Sequence, residues 1–150
     1  MTEVAFYHLT RSTLEQTLPK LLEKTLAAGK RAVVRAGSAQ RVEALNGALW
    51  SYDPASWLPH GSTKDGNGDA QPVWLTDDSD TPNGAQFVFL LDGVTDDDLP
   101  AYERCFEIFD GGDPQAVDTA RSHWKAYKEQ GLELTYWQQT DSGGWQKKAT

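Results

Sequence analysis

The sequence predicts an α/β domain built on a mostly parallel sheet, and three observations carry that expectation. Apolar runs of strand length alternate with helical patterns along most of the chain. The strand-like runs are rich in β-branched and aromatic residues, as in RAVVRA and AQFVFLLD. Recognisable boundaries, a glycine stop or an Asp-Pro start, punctuate the helical stretches.

Taken in order, VAFYHL (Val4 to Leu9) reads as the first strand. A helix follows over Leu18 to Ala28, with Leu18, Leu21, Leu22 and Leu26 on one stripe and Gly29 as its stop; Pro19 then falls in the first turn, where a missing N–H costs nothing. RAVVRA (Arg31 to Ala36) is the second strand, and Ser38 caps a helix to about Trp50 that aligns Val42, Leu45 and Leu49. Residues 51–71 are rich in Pro, Gly and polar side chains and read as a long surface loop. PVWLT and AQFVFLLD are two further strands, separated by an acidic turn, DDSDTPNG. DDDLPAYERC suggests a short helix and CFEIFD another strand. The last helix starts with Asp113 as N-cap and Pro114 at its first position and stops at Gly131. LELTYWQQ (Leu132 to Gln139) is expected as an edge strand before a polar tail over 140–150. There is no internal repeat and no composition break, so residues 1–150 are expected to form a single domain.

Composition narrows the function. At 150 residues the chain can bury about two thirds of its unfolded surface, enough for a core without staples. Fourteen basic against 22 acidic side chains give a net charge of −8, which repels a phosphate backbone and an anionic membrane, so direct binding to nucleic acid or to membrane is not expected. Cys105 is the only cysteine, which rules out an internal disulfide or a CxxC pair. The N-terminal segment lacks the basic start and apolar run of a secretory signal, so a cytoplasmic location is the expectation.

Catalytic and cofactor signatures fail one by one. The turn after the first strand, HLTRSTLE, contains no glycine where a dinucleotide fold places GxGxxG. FDGGDPQA sets two glycines before a helix, but Asp110 and Asp113 flank them with the wrong sign for an anion. His8, His60 and His123 have no second ligand at metal spacing, and the carboxylates of TDDSD and TDDDLP read as solvated turns. No catalytic residue, cofactor or metal is expected.

One pattern remains. At 100° per residue, the last helix places Val117, Ala120, Trp124 and Tyr127 on one stripe and Arg121, Lys125 and Lys128 on the adjoining one. Core packing for Trp124, with cations favoured toward a helix C-terminus, is one account of the seam. A docking groove for an acidic peptide with an apolar end is the other. Trp50, Trp57, Leu58 and Pro59 form a second apolar group, suited to core packing or to a partner surface.

Three blocks in this order, AFYHL with the later GKRAVVRA, ALWSYDPASWLPHG, and ARSHWKAYKEQGLELTYWQQ with the later GGW, resemble the chi subunit family of bacterial DNA polymerase III. The resemblance spans nearly the whole chain and departs most in residues 62–70 and in the acidic turn at Asp77 to Asp80. It implies a three-layer α/β/α Rossmann-like domain without a nucleotide site, and a non-catalytic accessory protein of replication. It also implies a ligand for the seam: the aspartate-rich C-terminal tail of single-stranded DNA-binding protein, which ends in proline and phenylalanine. Arg121, Trp124 and Lys125 match the family's tail-binding positions, and Lys128 stands one turn on. Trp50, Trp57, Leu58 and Pro59 fall in the block associated with the psi subunit, which connects to the clamp loader, and with competing helicase-type partners. A generic acidic-peptide adaptor outside the replisome is the alternative.

Overall fold

A computed structural model describes residues 2–51, 60–62, 68–96, 98–142 and 144–149. Along the chain the elements are β1 (Glu3–Leu9), α1 (Leu14–Ala27), β2 (Ala32–Arg35), α2 (Ala39–Ser51), β3 (Gly61–Ser62), β4 (Val73–Thr76), β5 (Phe87–Leu90), β6 (Arg104–Asp110), α3 (Pro114–Glu129), β7 (Glu133–Gln139) and β8 (Trp145–Ala149), with single 3-10 turns at Gly68–Ala70 and Leu99–Ala101. The strands form one eight-stranded sheet in the order β3-β4-β2-β5-β6-β1-β7-β8, parallel throughout except for the antiparallel β7–β8 pair.

Strand alternation splits the core in two, because successive side chains leave a strand on opposite faces. Ala5 and Leu9 of β1 join Val34, Phe89 and Phe106 beneath α1 and α2, which contribute Leu18, Leu22 and Leu45. Val4 and Phe6 join Val33, Val88 and Cys105 beneath α3, which contributes Ala120 and Tyr127. The result is the expected three-layer arrangement. The inner strands β2, β4 and β5 are buried along their whole length, as parallel strands covered on both faces must be.

Four boundaries differ from the sequence expectation. α1 starts at Leu14 because Thr13 and Gln16 close a capping box, the Thr13 hydroxyl accepting from the Gln16 amide at 3.2 Å while the Gln16 side chain accepts from the Thr13 amide at 3.0 Å. Pro19 therefore sits inside the helix, buried, and forgoes the bond to the Glu15 carbonyl. The stretch 51–71 is not loop throughout, since β3 pairs with β4 through Gly61↔Trp74 and Ser62↔Leu75. The helix expected near Leu99 is only a 3-10 turn. β7 is not an edge strand: the tail that follows turns back as β8 and pairs with it from Gln139↔Trp145 onward, so β8 takes the edge.

The acidic turn at 77–81 is exposed along Asp77 to Asp80, as the sequence suggests, and is tied to the sheet from beneath. Arg35, 4% exposed, donates from Nε to Asp96 at 2.8 Å, and its other nitrogens donate to the carbonyls of Asp78 and Asp80, to the Thr81 hydroxyl and to the Tyr102 hydroxyl. The Asp80 carboxylate in turn accepts from the Trp74 indole at 3.0 Å and the Thr76 hydroxyl at 2.6 Å. A buried cation needs this full set of acceptors to offset its desolvation.

Candidate functional site

The strand that feeds α3 and the helix cap set the site's orientation. The Asp113 side chain accepts from the Gln115 amide at 3.0 Å and Pro114 occupies the first helical position. At the far end Gly131 adopts φ 81°, a left-handed stop in which its amide reaches the Lys128 carbonyl at 3.1 Å. Between these ends the helix buries Ala120 and Tyr127. Trp124 lies at the rim of that buried stripe, half-exposed, with its ring edge-on to Phe6 at 5.3 Å and to Tyr136 at 6.0 Å. Arg121, Lys125 and Lys128 are all exposed on the adjoining stripe. The structure thus brings Arg121, Trp124, Lys125 and Lys128 to one edge of α3, the edge that faces β7. The carboxylate paired with Arg121 is Asp118 at 4.0 Å, and with both side chains more than three quarters exposed that pair holds the guanidinium only weakly.

Below Arg121 lie two residues that the sequence reading did not assign to the site. Nδ1 of His8 and the Tyr136 hydroxyl are hydrogen-bonded at 2.5 Å, and the His8 ring also packs on Phe109 at 5.0 Å. Burial pushes the His8 pKa down, and the nearby positive charge of Arg121 pushes it further, against a smaller opposite pull from Asp110. Tyr136 is held above the usual phenol range by burial, with Arg121 acting in the other direction. The signal for both was period two: His8 continues the α3-facing series Val4, Phe6, and Tyr136 continues from Leu134.

On the inner side of α3, His123 is hydrogen-bonded through Nδ1 to both carboxylate oxygens of Glu107, at 2.9 and 2.8 Å. That bond holds the His123 pKa above the ordinary imidazole value, while burial raises Glu107 by more than His123 lowers it. The pair fixes the helix on the sheet and does not face the basic edge.

A hollow of about 650 Å³ opens at the carboxyl ends of the strands, between the β1–α1 and β6–α3 connections, lined by residues that include Thr10, Ser12, Arg41, Asp92, Glu107 and Asp113. Ligands in open α/β sheets collect in such a crevice. Here three of its charged side chains are already paired with one another, Arg41 bonding Glu15 at 2.8 Å and Asp92 at 3.3 Å. The amides that would cradle a phosphate are taken as well. Thr10, Arg11 and Ser12 all donate to the Gln139 side-chain oxygen, at 3.2, 2.8 and 2.9 Å, and the Gln139 amide nitrogen donates to the Ser12 hydroxyl at 2.9 Å. The hollow meets α3 at Gln115, Ala116 and Thr119, on the opposite edge from Arg121 and Trp124.

Among the described residues no three His, Cys, Asp or Glu side chains group as metal ligands. Cys105 is buried and its thiol is pushed up to about 12, which keeps it protonated and unreactive. Of the second expected surface, Trp57, Leu58 and Pro59 lie outside the described residues, and Trp50 is described only as a backbone position in α2.

Residues 1–135 match the family described as DNA polymerase III chi subunit, HolC. The chain belongs to the DNA polymerase III chi subunit family. A protein of Rickettsia prowazekii (strain Madrid E) named "Probable DNA polymerase III subunit chi" is 28% identical over 91 residues, which is 61% of this chain and 55% of that relative's length. The family match takes in His8 and the whole of α3, and so Arg121, Trp124, Lys125 and Lys128; Tyr136, Gln139 and β8 lie just beyond it. No helix among the described residues is long and apolar enough to cross a membrane.

Proposed function

We propose that this chi-family chain is a non-catalytic accessory subunit of the DNA polymerase III holoenzyme. Its α3 edge captures the acidic C-terminal tail of single-stranded DNA-binding protein, and a psi-type partner connects it to the clamp loader. The observation that carries the reading is the meeting of a half-exposed Trp124 ring with three exposed cations in a chain whose net charge is −8. A helix face of that kind suits an anionic chain that ends in a ring: Arg121 and Lys125 hold carboxylates, the ring lies against Trp124, and Lys128 attracts the aspartates upstream. The pairing of Arg41 with Glu15 and Asp92 in the crevice, the capture of its turn amides by Gln139, and the protonated Cys105 support an adaptor role over a catalytic one.

Two charge-assisted hydrogen bonds contribute roughly 1.5–3 kcal/mol each, so with a buried ring, and after subtracting the ordering of the tail, binding should be about micromolar and salt-sensitive. Capture of single-stranded DNA-binding protein on immobilised chain tests this. The full-length protein should be retained and a version lacking its last few residues should not; equal retention would defeat the reading. Retention of any acidic peptide, whatever its last residue, would instead indicate a generic adaptor.

The psi-type contact is assigned to Trp50, Trp57, Leu58 and Pro59 on the apolar character of that block and its resemblance to the family's. Trp57→Ala should lose the psi-type partner and keep tail binding. Loss of tail binding with the partner retained would contradict the assignment.

A further inference from the structure

We propose that the hydrogen-bonded His8–Tyr136 pair is a second arm of the same anion receptor, the Tyr136 hydroxyl turning from the His8 ring to the terminal carboxylate of an incoming acidic chain. The inference rests on the tail-binding reading above and adds to it two residues and a proton.

Tyr136 touches Trp124 ring to ring at 6.0 Å, and its hydroxyl meets His8 Nδ1 at 2.5 Å. Arg121 stands close enough to both that its charge acts on each. A carboxylate drawn to Arg121 beside Trp124 therefore arrives next to a phenol. A neutral His8 with its proton on Nε2 takes the Tyr136 proton as its hydrogen bond, and the hydroxyl then has nothing to donate outward. A protonated His8 donates through Nδ1 to the Tyr136 oxygen, which frees the O–H for the carboxylate. The proton comes from solvent and binds His8 Nδ1, and no bond between heavy atoms forms or breaks.

The surrounding charges determine when this happens. From α3, Arg121 opposes an imidazolium; from the end of β6, Asp110 favours one, although its carboxylate also accepts from the Gly112 amide at 2.8 Å; from β7 the facing group is Tyr136; and the neighbouring Phe109 carries no charge. In the free protein burial and Arg121 prevail, so His8 is neutral at pH 7. A bound carboxylate neutralises Arg121 and adds its own negative field, so the His8 pKa rises on binding. Linkage then requires tighter binding as pH falls from the bound-state pKa toward the lower free-state one.

The test uses two fluorescent peptides, each acidic and ending in proline and phenylalanine, one with a free carboxylate and one amidated, titrated onto the full chain between pH 8 and pH 5.5. For the free-acid peptide wild type should bind about fivefold tighter at the lower pH, His8→Gln should show no such gain, and His123→Gln should keep it. Tyr136→Phe should weaken the free-acid peptide about tenfold and the amidated one hardly at all. Equal losses for the two peptides in Tyr136→Phe, or a His8→Gln slope matching wild type, would overturn the proposal while leaving the tail site standing. Failure of wild type to bind the free-acid peptide at any pH would overturn both. Circular dichroism of each variant separates these results from misfolding, and a calorimetric titration in two buffers of different ionisation enthalpy counts the proton without any substitution; zero uptake would also overturn it.

Discussion

The side-chain oxygen of Gln139 stands 2.8 Å from the amide nitrogen of Arg11 and accepts from Thr10 and Ser12 as well, so one glutamine at the end of β7 closes the turn after β1. In a nucleotide-binding sheet that turn presents free amides to phosphate. Here the chain supplies its own acceptor. Gln139→Leu should leave three turn amides, open to water from the hollow, without their acceptor and lower stability by about 1 kcal/mol in a urea titration. An unchanged midpoint would mean that the three bonds contribute nothing net.

Arg35 holds two acidic turns to the sheet. With its side chain 5% exposed and Asp96 9% exposed, removing either partner strands a buried charge. Arg35→Met should lower stability by about 3–5 kcal/mol, a fall of roughly 10 °C in Tm. The double variant Arg35→Met, Asp96→Asn should recover part of it. A double variant as unstable as the sum of the two singles would show that the pair is not coupled.

Gly111 is required by what lies over it. A Cβ there would run into the His8 ring and approach the Leu9 carbonyl at 2.6 Å. Gly111→Ala should lower Tm clearly, and adding His8→Ala should restore only part, because the Leu9 carbonyl remains. Full restoration would place the whole conflict at His8.

The His123–Glu107 pair sets a pH dependence of stability. Its bond to Glu107 raises the folded-state pKa of His123, so the stabilisation is fully present below the usual imidazole value and fades as pH rises through the raised one. Urea midpoints should fall from pH 6 to pH 8, and His123→Gln should flatten that slope. His8, whose pKa is lowered, acts with the opposite sign, so the comparison is between variant and wild type at each pH. A slope unchanged in His123→Gln would remove the pair from the account.

Much of this was legible in the residues. The parallel core strands and the α3 caps at Asp113 and Gly131 follow from local chemistry, and the structure places them within a residue or two of the sequence reading. The α1 boundary was legible too, since Thr13 and Gln16 stand at capping-box spacing, yet the leucine stripe drew the start to Leu18. β8 was hidden by composition: a polar, lysine-bearing run is what an exposed edge strand looks like, and only pairing with β7 makes it a strand. The basic seam of α3 could be read from helical spacing, because Arg121, Lys125 and Lys128 repeat at one turn. Period two puts His8 and Tyr136 on the α3-facing side of their strands, but β1 and β7 are far apart in sequence, and only the parallel register Phe6↔Tyr136 and His8↔Gln138 joins them to the seam.

In the reading proposed above, the α3 edge recognises an acidic, phenylalanine-ended chain. The most direct measurement of this is a fluorescence polarisation titration of such a peptide against wild type, Arg121→Ala and Lys125→Ala at fixed pH and salt. The account expects each variant to bind about tenfold or more weakly with its Tm unchanged. Wild-type affinity in both variants would contradict it.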